Sequence, residues 1–562
     1  SSTPGAHVAT MGGLYSCLAF ACRRLRPLEP SSARAPLTST PTSQQAQTSG
    51  RPQMYSRRHT TQLVDLSNFA FDDSGSDADL VNFAEFADDD ATTTSGVPAA
   101  PLGDQPEPDV SGHGPLSIST RIEYAALPRG RAQDIFGLVT LKAEAAAAAR
   151  TEVDTRQPLD LICVLDVSGS MGGQKIGLVQ STMRFMVDEC QPQDRLSIVT
   201  FNSGAKRPLR LCRMDGRGKD EATAATLRLT AGGGTDIAKG LETGLAVAEH
   251  RRQRNPVSAI FLLTDGKDGS SRRQLTSLIS RAQRVGCSLY TFGFGADHDA
   301  RLLSEMAEQA QTPFTFVEDL DQIGAAFAGA MGGLSSVAAQ RVEVVVNAHV
   351  SVKAIHSAFS VSRQGARTAI QIPDMLAGER KDILVEMSVA ADSGSADETL
   401  LLEASAKYWD LAAGCAAQTP SVEMRLQRRA DDEPQPEQEP DEQVVMQRSR
   451  VEVTQALQAA ASHGDEGRFS EAQEVLSAQE QRLRRRKTMS SLGEGLIAEL
   501  EDARNRMSSR SSWEGGGSAQ LRDTMQMHRT QRATNSSVSS LNFRRLSSKS
   551  EYLTTSQSSM VS

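Results

Sequence analysis

The spacing of hydrophobic and polar positions changes several times along this chain. Between residues 114 and 145 they alternate, as in Leu116-Ser117-Ile118-Ser119-Thr120-Arg121-Ile122, and a second run at 135–141 follows Pro128-Arg129-Gly130. Period-two patterning on either side of a turn predicts a strand pair. From about residue 158 unbroken apolar runs take over, at 159–167, 195–201, 257–263, 288–294 and 314–317. Helical spacing separates them near 175–190, 220–229, 237–252, 272–285 and 300–309, and a helix over 320–334 closes the unit. An edge hairpin strand is expected near 207–211. Continuous apolar strands alternating with helices predict a Rossmann-like parallel sheet covered on both faces. Binding residues in such sheets lie outside the carboxyl ends of the strands.

After residue 337 the alternation returns, at 342–346, 350–355, 368–372, 382–389 and 400–408, with no long helix between. That pattern predicts an antiparallel β-sandwich. Because strand-like segments flank the α/β unit, the unit is read as an insertion into a sandwich built from both sides. The expected organisation is therefore the first sandwich strands at 113–150, an α/β domain at 156–336, the rest of the sandwich at 337–428 and a linker at 429–441. A helical region at 442–507 follows, beginning with a hairpin of helices near 442–462 and 467–487, with a third over 491–507.

Composition adds the termini. Of the 562 residues, 39% are hydrophobic and only 4% aromatic, too few to bury the whole chain, so 1–112 and the Ser-rich 508–562 are expected to be disordered. Residues 1–60 hold seven Arg and one acid, whereas 61–110 hold twelve acids and no Lys or Arg. Phe69, Phe71, Phe83 and Phe86 are interleaved with those acids. Such a segment serves either as a solvated linker or as a docking element for a partner. The net charge of −9 argues against nucleic-acid binding as the main function. Seven cysteines, at 17, 22, 163, 190, 212, 287 and 415, lack zinc-ligand spacing and form an odd set. That points to free thiols in a reducing, cytoplasmic compartment, with Cys163 and Cys287 as core residues. No apolar run reaches the ~20 residues that span a bilayer. If Met11 initiates the chain, Gly12 fits a myristoylation signal and Cys17 and Cys22 a palmitoylation pair, which would attach the protein to a membrane. The Arg-rich, acid-poor composition also suits an organelle transit peptide.

The chemistry lies at the strand ends. Asp166, Ser168 and Ser170 close the 159–167 run, Thr235 follows three glycines in Gly232-Gly233-Gly234-Thr235-Asp236, and Asp265 ends the 257–263 run in Thr264-Asp265-Gly266. Two carboxylates and three hydroxyls are hard oxygen ligands, suited to Mg²⁺, or to Ca²⁺ or Mn²⁺. The two-residue spacing of Ser168 and Ser170 points both hydroxyls one way. Catalytic patterns are absent from the sequence: Ser168-Gly169-Ser170-Met171-Gly172 lacks the first glycine of a nucleophile elbow, His298 reads as a surface-loop histidine, and no phosphate-binding loop occurs. The basic runs 484–487 and 544–547 resemble kinase recognition sites around Thr488, Ser490 and Ser547, or else solvated basic helix ends.

The five oxygen-donor residues resemble the metal-ion-dependent adhesion site of von Willebrand factor A domains. The resemblance implies that Asp265 holds a metal-bound water and that one coordination position stays open for a partner's carboxylate. Over roughly residues 60–535 the chain also resembles the wavy-growth family of RING ubiquitin ligases, through Pro158-Leu159-Asp160-Leu161, Asp194-Arg195-Leu196-Ser197-Ile198-Val199, Glu471-Ala472-Gln473 and the 515–534 region. Those ligases carry a zinc-binding RING before the acidic segment. Here residues 1–60 hold only Cys17 and Cys22, so ligase activity is not carried over. The expected function is that of an intracellular adaptor that uses a metal to bind an exposed Asp or Glu of a partner protein. The alternatives are the substrate-binding part of a ligase whose RING lies elsewhere and a secreted matrix-type protein.

Overall fold

A computed structural model describes residues 89–90, 114–145, 156–268, 272–295, 298–318, 322–392, 397–431, 438–486, 490–533 and 552–561. The Gly12/Cys17 attachment site, Cys22, the four acidic-segment phenylalanines, Thr488 and Ser547 lie outside them.

The apolar runs form a six-stranded sheet in the order β6-β5-β4-β7-β8-β9. Strands β4 (Leu159–Asp166), β5 (Arg195–Phe201), β7 (Val257–Thr264), β8 (Ser288–Phe294) and β9 (Phe314–Val317) are parallel, and β6 (Ala205–Arg213) runs antiparallel to β5 at the edge. Alternate side chains enter opposite cores. Leu161, Cys163 and Leu165 of β4 meet α1 (Gln174–Glu189), α2 (Gly216–Leu227) and α6 (Ile323–Ser335). Ile162 and Val164 meet α3 (Ile237–His250), α4 (Arg272–Val285) and α5 (Ala300–Ala310). Both faces are covered, which is why the strands read as unbroken apolar runs. Helix α2 starts earlier than the apolar spacing indicates, because the Asp215 side chain accepts from the Gly218 N–H and caps the first turn.

The flanking strands form two antiparallel sheets. One has the order β1-β3-β14-β11, from β1 (Leu116–Ile122), β3 (Gln133–Ala143), β11 (Ser351–His356) and β14 (Arg380–Val389). The other centres on β10 (Val337–Ala348), β13 (Arg367–Leu376), β15 (Glu398–Asp410) and β17 (Val422–Arg429). Their inner faces share one core, including Val139, Leu141, Val344, Ile372, Val385 and Leu402. Strand β17, with Met424 and Leu426 facing inward between exposed charges, has clean alternation that the pattern reading passed over. Helix α6 runs into β10 with one residue between, and Val337, Leu376 and Leu411 complete the core beneath it.

The described part of the C-terminal region departs from expectation. Helices α7 (Glu442–Asp465), α8 (Phe469–Arg484) and α9 (Ser491–Arg506) are joined by a helix at Ser518–Thr530 and a short one at Thr555–Val561, in the stretch expected to be disordered. The Ser518–Thr530 helix is rich in buried polar residues, Gln520, Arg522, Asp523, Gln526 and His528. Its polarity reads as disorder, yet distant groups satisfy it: Arg522 pairs with Asp465 at 2.6 Å, His528 Nε2 meets Glu499 at 2.6 Å, and Gln526 donates to the Ser304 carbonyl at 3.3 Å. Beyond it, Arg532 forms two bonds to Glu379, 2.8 and 2.9 Å, and one to Asp374, 2.8 Å. Lys381 donates to Glu379 and to the Thr530 carbonyl, both at 2.6 Å. Burial opposes the charge on Glu379, but Arg532 and Lys381 outweigh it and hold the carboxyl down at about 2.

At the amino end of the parallel strands Asp160, fully buried, receives Arg195 through two bonds of 2.7 Å, Arg251 at 2.9 Å and the Asn255 N–H at 3.1 Å. Removing this one carboxylate charge leaves two guanidinium groups buried without their counter-ion. Asp160→Asn is expected to cost about 3–5 kcal/mol of unfolding free energy, measured by urea denaturation.

Candidate metal centre

Three loops converge at the carboxyl ends of β4 and β7. Asp166 ends β4 and is fully buried. Its Oδ1 accepts from the Ser168 N–H at 2.8 Å and its Oδ2 from Thr264 Oγ1 at 2.5 Å. The first bond turns the chain out of the strand, so that Ser168 and Ser170 follow on one side, their hydroxyl oxygens 3.0 Å apart. Ser170 Oγ donates to Asp265 Oδ1 at 2.7 Å.

The glycine loop supplies the third element. Gly169 N–H donates to the Gly233 carbonyl at 2.9 Å and Gly232 N–H to the Val167 carbonyl at 2.8 Å, which clips this loop to the first. Gly233 has φ +88°, a conformation that suits glycine. Asp236 then caps α3 by accepting from the Lys239 N–H at 3.0 Å, which sets Thr235 at the mouth of the site. Thr235 lies against Gly266: a Cβ added to that glycine would fall 2.9 Å from Thr235 Oγ1 and 3.3 Å from Asp166 Oδ2. Asp166, Ser168, Ser170, Thr235 and Asp265 are therefore neighbours in space. Asp166, Ser168 and Asp265 are buried, whereas Ser170 is exposed and Thr235 half-buried.

Pattern reading passed over three participants. Thr264 bonds Asp166, Gly266 leaves room for Thr235, and Lys175 at the start of α1 bonds Asp265 Oδ2. The Lys175 ammonium also lies 5.4 Å from the centre of the Phe294 ring. A lysine nine residues after a strand carries no periodic signal toward a carboxylate on another strand. His298, expected on a surface loop, is instead buried against Phe316 and Phe314, with Nδ1 donating to the Gly295 carbonyl at 2.7 Å. Burial pushes its pKa down to about 4, so it is neutral at pH 7 and belongs to the core.

The donor set fits a hard divalent cation. Asp265 pairs with the Lys175 ammonium, whereas Asp166 is met by the Thr264 hydroxyl and the Ser168 N–H, which bring no full positive charge, so negative charge is in excess in a buried place. Burial, aided by the charge of Asp265, pushes the Asp166 carboxyl above the ordinary range, against hydrogen bonds from Thr264 and Ser168 that favour the anion. A cation would relieve that cost, and the convergent hydroxyls supply neutral oxygens of the kind such an ion takes.

Two outcomes follow. Proton and cation compete for Asp166, so Mg²⁺ affinity measured by calorimetry falls with decreasing pH, beginning above the pH at which an exposed aspartate titrates. Lys175→Met removes the charge opposing the cation and is expected to raise Mg²⁺ affinity roughly tenfold. The same variant lowers the melting temperature in EDTA, and Mg²⁺ restores it.

Comparison with known proteins bears on the domain that carries this site. Residues 160–328 match the von Willebrand factor type A domain. The chain is 31% identical over 261 residues to the E3 ubiquitin-protein ligase WAV3 of Arabidopsis thaliana, covering 44% of this chain and 33% of that one. It is 30% identical over 256 residues to an uncharacterized Synechocystis protein (43% and 60% covered), and 27% identical over 314 residues to the probable E3 ubiquitin-protein ligase WAVH2 of Arabidopsis thaliana (53% and 42%). The chain thus spans between a third and three fifths of these relatives. Among solved structures, a von Willebrand factor type A protein from Catenulispora acidiphila shares the fold with a TM-score of 0.54 at 15% identity, covering 70% of this chain and 91% of that one. The chain carries a von Willebrand factor type A domain over residues 160–328 and is related to the WAV ubiquitin ligases.

Proposed function

We propose that this chain is a protein-binding adaptor that holds a divalent cation, Mg²⁺ by its donor set, at Asp166, Ser168, Ser170, Thr235 and Asp265. Through that cation it binds an exposed Asp or Glu of a partner protein. The observation that carries the reading is the convergence of two carboxylates and three hydroxyls from three loops at the strand ends. Von Willebrand factor A domains commonly hold a divalent metal at such a site. Neutral hydroxyl donors leave the ion electrophilic, so an external carboxylate is a favourable further ligand. Ser170 and Thr235 remain accessible from solvent, which is where such a ligand would enter.

The likeness to WAV3 and WAVH2 favours a second reading, in which the same site presents substrates within a ubiquitin ligase whose RING lies on other sequence. Eight zinc-ligating Cys or His residues encoded upstream of Ser1 in the full transcript would favour that reading over a free-standing adaptor. Both readings require the cation. Immobilised chain should retain its partners in Mg²⁺ and release them in EDTA, and Asp166→Ala should lose them while keeping its circular dichroism. Retention that is indifferent to both EDTA and Asp166→Ala would refute the metal-dependent mode.

A further inference from the structure

Strand β6 is the open edge of the parallel sheet, and it is basic: Lys206, Arg207, Arg210 and Arg213 lie along it. Its backbone is held on one side by β5. On the other side it is met by Asp89 and Asp90, from the acidic segment. The Asp90 N–H donates to the Leu211 carbonyl at 2.9 Å. The Leu211 N–H donates to Asp89 Oδ1 at 2.9 Å and the Arg213 N–H to Asp90 Oδ2 at 3.1 Å. Leu211 and Arg213 are two apart and turn the same edge outward, so the two carboxylates act where a further strand's carbonyls would. Guanidinium groups clamp the same two carboxylates: Arg207 bonds Asp89 Oδ1 and Arg210 bonds Asp90 Oδ1, each at 2.6 Å.

The receiving surface is prepared independently of these two residues. Asp160 fixes Arg195 through Nε and Nη2, which leaves Nη1 to reach the Asp90 carbonyl at 2.5 Å. Arg195 and Arg251 carry two positive charges against the single charge of Asp160, so this end of the sheet is basic beneath the edge as well. The contacts ask little of the occupant: an extended backbone and two adjacent carboxylates. Aspartate is a poor strand former, so charge rather than β-propensity selects it here. The site also lies at the opposite end of the strands from the metal centre, six residues of β4 or about 20 Å away.

We propose that the β6 edge is a binding site for a short diacidic peptide, and that the chain fills it with its own Asp89-Asp90 until an acidic segment in trans displaces it. The probe is a fluorescein-labelled synthetic peptide of residues 83–95, titrated by anisotropy into the full chain. A chain carrying Asp89→Asn and Asp90→Asn should bind it, and the unaltered chain about tenfold more weakly or less, because its own segment competes. Adding Arg207→Glu and Arg210→Glu to the vacated chain, or Asn for Asp89 and Asp90 in the peptide, should abolish binding, while EDTA should leave it unchanged. No binding to the folded, vacated chain, or equal binding to both chains, overturns the proposal. If the vacated chain fails to fold, hydrogen exchange on the unaltered chain decides. Salt at 1 M, which screens the partly exposed Asp90–Arg210 pair, should speed exchange at Arg213 and not at Leu196 on the inner strand. Unchanged protection at Arg213 overturns the proposal.

Discussion

A charge taken out of water must be met by another, and that constraint organises this molecule from one end to the other. At the amino ends of the parallel strands Asp160 is met by Arg195 and Arg251. Between the sandwich and the C-terminal segment, Glu379 is met by Lys381 and Arg532. Each of these clusters joins stretches far apart in sequence, so the pairs decide which segments lie together, while apolar burial supplies most of the stability. At the carboxyl ends of the strands the balance fails. Asp166 and Asp265 are fully buried, and while Lys175 pairs with Asp265, Asp166 is met by the neutral Thr264 hydroxyl and Ser168 N–H. The same rule that explains the structural clusters leaves this one with buried negative charge in excess, and so a candidate for a cation.

The scaffold around that place is rigid for reasons that have nothing to do with metal. Two apolar cores grip the sheet from both faces, and the strand ends cannot move without disturbing them. The loops that leave the strands are short and tied to each other by backbone bonds, Gly169 to Gly233 and Gly232 to Val167. The donors are therefore preorganised, and little ordering remains to be done on binding. Sandwich and helical region are continuous with this domain: residues of β10 and β13 complete the core under α6, and Arg506 and Arg529 reach Glu318 and Glu308 across the junction. The loops at the strand ends are thus carried on one compact unit formed from all three parts.

The polar groups around the site are already engaged by their neighbours. The buried histidine nearest the site is neutral and enclosed by phenylalanines, and the serine hydroxyls are engaged with each other and with Asp265. The likeness to WAV3 extends over 44% of this chain and 33% of that ligase.

By itself the sequence determined the periodic parts. Strands β4, β5, β7, β8 and β9 are unbroken apolar runs because both of their faces are buried, and the sandwich strands alternate because one face is wet. The five oxygen donors that the structure brings together were legible as candidates too, since side chains that follow strand ends sit at positions that the strand pattern locates. What the tertiary structure alone decided is where polar segments go. The Ser518–Thr530 helix and the Asp89-Asp90 pair have compositions that read as solvated chain, and each is ordered by groups a hundred or more residues away. Lys175 and Thr264 joined the metal centre in the same way. Hydrophobic burial leaves a local periodic trace because it depends on which face of an element a residue occupies. An ion pair or a hydrogen bond depends on its partner, and only the folded chain brings that partner near.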